Sequence, residues 1–156
     1  MIYVECKPDV TLVKTITKIS NKEVIHAGNK PEVCKQLRNQ TNCVGLVDED
    51  PGSSKPCSMS EMRLEKEIDE INVKIFSDKN RNRLIVLCPK LEEWVLGCVK
   101  ETKIEIEKYN LPNNAKKLHE VININLKSFK DLINDLLKHS HRLKMLKDLL
   151  IGKEEK

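Results

Sequence analysis

Apolar residues along this chain follow two spacings, and the spacing switches back and forth. Short β-prone runs at residues 2–5, 23–27, 43–47, 71–76 and 83–88 are bounded by turn or capping residues and read as strands. Between them, Val10, Val13, Ile16 and Ile19 recur at helical spacing behind Asp9, which can cap their helix. Pro31 suits the first turn of a second helix running to about Arg38, and residues 62–70 read as a third. Pro89 opens a helix with Leu91, Trp94, Val95, Cys98 and Val99 on one side. The run Cys43 to Val47 is apolar on both faces, as the centre of a parallel sheet requires. Alternating strands and helices with short connections predict an α/β fold: a doubly wound, mainly parallel sheet in a three-layer α/β/α sandwich.

After residue 101 the pattern becomes helical. Residues 110–114 form a turn, residues 116–122 a short helix, and Ser128 caps a helix over 129–138. Ser140 caps a last helix through Leu143, Leu146, Leu149 and Leu150, which Gly152 ends. The chain therefore divides into an α/β part, residues 1–101, and a helical C-terminal extension, residues 102–156, packing on the same domain. A length of 156 residues with 39% hydrophobic content supplies one core rather than two. Only 3% of residues are aromatic, so Ile, Leu, Val and Cys must fill that core.

No apolar run approaches the roughly 20 residues that span a bilayer, and the N-terminus has no signal-type pattern. A soluble cytoplasmic protein with no membrane partner is expected. The six cysteines include no C-x-x-C pair, and Cys6, Cys43, Cys88 and Cys98 lie in apolar segments. They read as buried thiols in a reducing compartment, neither disulfides nor a zinc site. The net charge of +4 sits mostly in the C-terminal segment, a mild bias that permits contact with a phosphate backbone.

Ligands of open parallel sheets bind beyond the carboxyl ends of the strands, where helix N-termini also point. Glu5 follows the first strand, Gly28-Asn29-Lys30 the second, Asp48 and Asp50 the third, and Pro89-Lys90 with Glu92 the strand at 83–88. Carboxylates gathered there repel one another and must protonate or recruit a cation. Mg²⁺ or Mn²⁺ fits, because hard cations prefer carboxylate oxygens and keep waters that can serve as nucleophile or contact phosphate. The expected metal ligands are Glu5, Asp9, Asp48, Asp50 and Glu92. Asp9 fits a helix cap as well as a ligand, and Glu92 also fits a first-turn glutamate favoured by the helix dipole. The Pro, Gly and Ser-rich stretch at 51–60 reads as a mobile loop over the site.

These residues also carry a family resemblance. The run Ile2-Tyr3-Val4-Glu5-Cys6-Lys7-Pro8-Asp9, the turn Gly28-Asn29-Lys30 and the strand ending in Asp48-Glu49-Asp50-Pro51-Gly52 resemble the Toprim domain of topoisomerases, primases and small nucleases. In that family a glutamate ends the first strand and a D-x-D motif the third. Glu5 with Asp9 is similar to the E-x-x-x-E/D pair of OLD-type Toprim nucleases. The stretch Cys88 to Trp94 is similar to a helix start in Toprim-like proteins of prokaryotic defence loci. The resemblance spans about residues 1–100 and departs from the family where Cys6 replaces the usual glycine and Gly52 follows the second aspartate early. It implies a Toprim-like sheet and an Mg²⁺-dependent phosphodiesterase or nuclease acting on DNA or RNA, alone or with an ATPase or defence-system partner. It also implies catalytic roles for Glu5, Asp48, Asp50 and Lys90, with Lys30 or Lys90 steadying a phosphate.

Other readings stand beside this one. Glu5, Asp48 and the Pro89-Lys90 pair also resemble a phospho-accepting receiver domain. A non-catalytic interaction module is a third reading, with a homodimer through Leu132, Leu136, Leu143, Leu146, Leu149 and Leu150. Trp94 reads as core, His139 and His141 as an exposed helix junction, and residues 79–83 as a solvated turn.

Overall fold

A computed structural model describes residues 1–51 and 62–153. Apart from Pro51, the loop expected at 51–60 lies outside the described residues, as do Gly52 and Cys57. Six strands form one sheet: β1 Ile2–Val4, β2 Val24–His26, β3 Val44–Asp48, β4 Arg63–Ile68, β5 Val73–Ser77 and β6 Arg83–Leu87. Their order is β2-β1-β3-β6-β5-β4, and the first four in that order run parallel. The helices are α1 Lys7–Thr17, α2 Lys30–Arg38, α3 Leu91–Lys100, α4 Ala115–Ile122, α5 Leu126–Leu137 and α6 His141–Ile151.

Alternate residues of a strand point to opposite faces, and here both faces are apolar. Ile2, Val4, Leu46, Ile85 and Leu87 meet Leu12, Val13 and Ile16 of α1 and Leu91, Trp94 and Val95 of α3. Tyr3, Val47, Leu84 and Val86 pack instead on Val33, Cys34 and Leu37 of α2. Helices thus cover both faces, which makes the three-layer α/β/α sandwich. Gly45 is where the α2 layer comes nearest: a Cβ there would lie 2.8 Å from Val33 Cγ1 and 3.0 Å from Leu37 Cδ1.

The two helical layers are unequal. Phe129, Leu132, Ile133 and Leu136 of α5 and the four leucines of α6 join the core on the α1 face, so the C-terminal helices share one core with the sheet. Trp94 anchors that face by donating its Nε1–H to the Ile71 carbonyl at 2.7 Å, while the Arg142 guanidinium lies 5.7 Å over its ring. Among the described residues, no helix is long and apolar enough to cross a membrane.

Several elements depart from expectation. The helix expected at 62–70 is strand β4 followed by a short 3₁₀ turn, Asp69–Ile71. Its Leu, Glu and Lys residues favour helix in isolation, but pairing with β5 overrides that local preference. β4 and β5 run antiparallel, so the sheet is mixed rather than wholly parallel. As an exposed edge, β4 carries charged side chains and a register shift between Leu64 and Lys66, both of which discourage edge-to-edge pairing. The residue at the N-cap of α1 is Cys6, with Asp9 inside the first turn, so Asp9 is not the cap. α3 begins at Leu91, not Pro89, and α5 begins at Leu126 behind Asn125, which places Ser128 within the helix.

The 79–83 turn is more than solvated. Asn82 is fully buried; its amide nitrogen lies 2.7 Å from the Leu37 carbonyl, 2.9 Å from that of Gln40 and 2.9 Å from Asp78 Oδ2. Its oxygen accepts the Cys43 N–H at 2.9 Å. One side chain therefore joins the end of α2, the entry to β3 and the β5-to-β6 turn.

Candidate functional site

The parallel strand order reverses between β1 and β3: β2 lies on one side of β1, β3 and β6 on the other. Chains leaving such neighbours diverge to opposite faces and leave a crevice at their carboxyl ends. Glu5 and Asp48 occupy that crevice. Glu5 Oε2 accepts the backbone N–H of Asp48 at 2.8 Å, which joins the exits of the two strands.

Strand alternation then sorts the acidic run. Asp48 continues the Leu46 side, toward α1 and α3, while Glu49 turns to the other side and accepts from Lys74 Nζ at 2.7 Å. Asp50 takes a left-handed conformation with φ 48° and forms an ion pair with Lys90 at 3.4 Å. Lys30, which begins α2, donates Nζ–H to the Glu49 carbonyl at 2.9 Å. The D-x-D aspartates thus have different surroundings: Asp48 faces inward, and Asp50 lies at a solvated rim beside a lysine.

Asp9 joins Asp48 from below. It is 2% exposed in the first turn of α1, with Oδ2 accepting from the Cys6 thiol at 3.1 Å and Oδ1 meeting no hydrogen-bond partner. Asp48 Oδ1 is likewise buried and unpartnered. Glu92, in the first turn of α3, is 7% exposed, and its Oε1 lies 2.7 Å from Nδ1 of His119 on α4.

Electrostatics follow from this crowding. Burial pushes Asp48 up to about 8, with the charges of Asp9 and Glu5 adding to the rise and the Leu91 N–H at the start of α3 opposing it. Asp9 rises to about 7, mainly by burial, the Cys6 hydrogen bond pulling the other way and the charge of Glu5 adding. Glu5 also rises, by burial, against the Asp48 N–H and the charge of Lys30. Burial and the charge of Asp9 push the Cys6 thiol up, which keeps it a protonated donor. Glu49 goes the other way, held down by Lys74.

A cleft of about 540 Å³ opens over this edge, lined by Asp48, Asp50, Lys90 and Glu92 on one wall and by Lys116 and His119 of α4 on the other. A larger hollow of about 630 Å³ lies on the α2 face, between Arg38, Arg63 and Lys79, and contains none of these acids. The chemistry-bearing groups favour the smaller cleft.

The expected residues are therefore brought to one edge in unequal roles. Glu5, Asp9, Asp48 and Glu92 crowd the interior; Asp50 and Lys90 pair at the rim; Lys30 braces the loop after β3. Among the described residues, no group of three or more His, Cys, Asp or Glu side chains is gathered as a metal-holding set. Glu5 is engaged by the Asp48 amide, and Asp9 is half engaged by Cys6. Two carboxylate oxygens at this edge, Asp9 Oδ1 and Asp48 Oδ1, are buried and unpartnered, and oxygen donors are the kind that hard divalent cations prefer. His119 was not legible as a site residue, because nothing local in the α4 sequence says that this helix packs beside the start of α3.

No family model, no curated protein and no solved structure matches this chain.

Proposed function

We propose that this chain is a Toprim-like, Mg²⁺- or Mn²⁺-dependent phosphodiesterase of the nuclease type, acting on nucleic acid in the cytoplasm. The observation that carries the proposal is the pair of buried, unpartnered carboxylate oxygens, Asp9 Oδ1 and Asp48 Oδ1, at the carboxyl end of the β1/β3 switch point. Buried polar groups are nearly always hydrogen-bonded, so two orphans side by side at a ligand-binding edge require a partner. At neutral pH the pair either keeps a proton, as carboxyls raised by burial to about 7 and about 8 do, or takes a divalent cation, which satisfies both oxygens and removes the repulsion that adds to the rise.

Asp9 and Asp48 would hold such a cation, with waters completing its shell. The bound ion supplies water activation and charge neutralisation at a phosphodiester. The chain's own contribution is positional. Lys90 and Lys30 flank the acids and attract phosphate oxygens, and Asp50 keeps Lys90 at the rim until substrate competes for it. The thiols of Cys6, Cys43, Cys88 and Cys98 suit a reducing compartment.

The test is cleavage of plasmid DNA and of single-stranded RNA by the full chain with Mg²⁺ or Mn²⁺, against an EDTA control and Asp48→Asn. Cation-dependent cleavage lost in Asp48→Asn is the expected result. No cleavage of either polymer with either ion, or full cleavage by Asp48→Asn, sinks the proposal.

A further inference from the structure

The hollow of about 630 Å³ on the α2 face lies apart from the acids of the proposed cation site, and its walls carry unbalanced positive charge. Arg38 at the end of α2, Arg63 at the start of β4 and Lys79 in the turn between β5 and β6 all line it. Printed pairings in the fold bring these elements together. Arg63 stands opposite Ser77, the last residue of β5, in the antiparallel register. Asn82 ties the following turn to the end of α2, donating to Asp78 Oδ2 at 2.9 Å and to the Leu37 carbonyl at 2.7 Å. Among the described residues, none of the three cationic side chains has an ion pair or a hydrogen bond. Asp78, a carboxylate on the same wall, is already committed: its Oδ1 accepts from the backbone N–H groups of Asn80 and Asn82 at 2.9 and 3.0 Å, and its Oδ2 from the Asn82 amide. The attraction of a helix C-terminus for cations accounts for Arg38, but not for Arg63 and Lys79 beside it.

We propose that this hollow is a binding site for a nucleoside triphosphate, with Arg38, Arg63 and Lys79 taking the phosphates and Cys34, Leu37 and Met62 lying under the base. Charge, size and surface each point to that class. Guanidinium forks match phosphate oxygens in paired hydrogen bonds, and the lysine adds a further point charge. A lone carboxylate would leave most of that positive charge unmet, whereas a triphosphate meets it without a metal. The volume lies within the roughly 300 to 1,000 Å³ of small-molecule sites. Phosphates alone would leave the apolar floor uncovered: Cys34 and Leu37 belong to the core of the α2 face, and Met62 packs against it. The site does not depend on the cation-binding reading. Ser77 on its wall pairs with Arg83, the first residue of β6, which puts the hollow at the opposite end of the sheet from Asp48.

Equilibrium dialysis of the full chain against ATP and against CTP tests this, in EDTA so that a divalent cation at the acidic edge contributes nothing. Wild type and Asp48→Asn are expected to bind both nucleotides saturably and equally, and to bind adenosine or inorganic triphosphate more weakly. Arg38→Gln, Arg63→Gln and Lys79→Gln are each expected to weaken binding by roughly 10-fold or more, as loss of a charge-assisted hydrogen bond does. Their thermal midpoints should match wild type, because the three side chains are exposed. Lys117→Gln, which removes an exposed lysine of α4, should bind as wild type does. No saturable binding of either nucleotide by wild type overturns the proposal, as does unchanged affinity in two or more of the three variants at the hollow. Inorganic triphosphate bound as tightly as ATP overturns the role of the apolar floor and with it the nucleotide. Binding of a short single-stranded DNA through the same three side chains, with ATP and CTP left unbound, assigns the hollow to a nucleic-acid backbone and overturns the proposal too.

Discussion

Asn82 at one end of the sheet and the pair of Asp9 and Asp48 at the other are buried polar groups with opposite fates. At the amino end of β3 and β6, Asn82 is fully buried, and Asp78 beside it accepts from the backbone N–H groups of Asn80 and Asn82 at 2.9 and 3.0 Å. Both of its own polar atoms are used, by Leu37, Gln40 and Cys43. At the carboxyl end of the same strands, Asp9 and Asp48 each keep a buried oxygen without a partner, and burial lifts both carboxyls far above their ordinary values. The first arrangement stabilises the fold; the second costs stability. The satisfied Asn82 cluster serves architecture; the unpartnered oxygens of Asp9 and Asp48 are left for chemistry.

The largest test removes the satisfied cluster. Asn82→Ala leaves the Cys43 N–H and the Leu37 and Gln40 carbonyls without their partner, and should cost about 4 kcal/mol in urea unfolding. A loss below about 1 kcal/mol would erase the contrast between the two ends.

Next comes the pH dependence of the metal-free protein. Asp9 and Asp48 bind protons more tightly folded, at about 7 and about 8, than unfolded, at 3.8. Between about pH 4 and pH 8 the folded state therefore holds more protons, so stability falls as pH rises through that window. The expected decline is about 3 kcal/mol; this is less than the full shifts imply, because water reaches half-buried Asp48. Stability that stays level or rises from pH 5 to pH 8 contradicts it, and saturating Mn²⁺ should remove the decline.

Asp48→Asn reverses the usual sign of a buried substitution. Without the ionised carboxylate, the metal-free protein should gain roughly 1 to 2 kcal/mol at pH 8, measured by denaturant midpoint, while cation binding is lost. Destabilisation at pH 8 would mean that Asp48 is satisfied in solution. The smallest effect belongs to Glu49, the middle acid of the run. Its pair with Lys74 is about one-third exposed on each side, so Glu49→Ala should cost under about 1 kcal/mol and leave Mn²⁺ affinity unchanged. Affinity falling with Glu49→Ala would shift the site toward the α2 face.

The α/β plan was legible because strands such as Cys43 to Val47 carry apolar residues on both faces, a pattern that only a sheet covered on both sides satisfies. The convergence of Glu5 and Asp48 was legible for the same reason: strand ends in a parallel sheet share an edge. β4 was not, since Arg63-Leu64-Glu65-Lys66-Glu67 has the local composition of a solvated helix and becomes a strand only by pairing with β5. Asn82 read as a polar turn because burial of a loop residue is decided by what packs over it. His119 lay beyond reach because the approach of α4 to α3 is set by Leu118 and Ile122 in the shared core, with no signal at His119 itself. Local pattern reveals what repeats along the chain; contacts between distant helices have no such trace.

The central claim is that the orphan carboxylates of Asp9 and Asp48 are kept for a divalent cation. The most direct measurement is Mn²⁺ titration of wild type and Asp48→Asn at about pH 7 in buffers of different ionisation enthalpy, which counts protons released on binding. The account predicts saturable binding to wild type with net proton release, as carboxyls raised to about 7 and about 8 give up protons to the cation, and no binding to Asp48→Asn. Absence of binding in wild type, or binding without proton release and equal in both proteins, would contradict it.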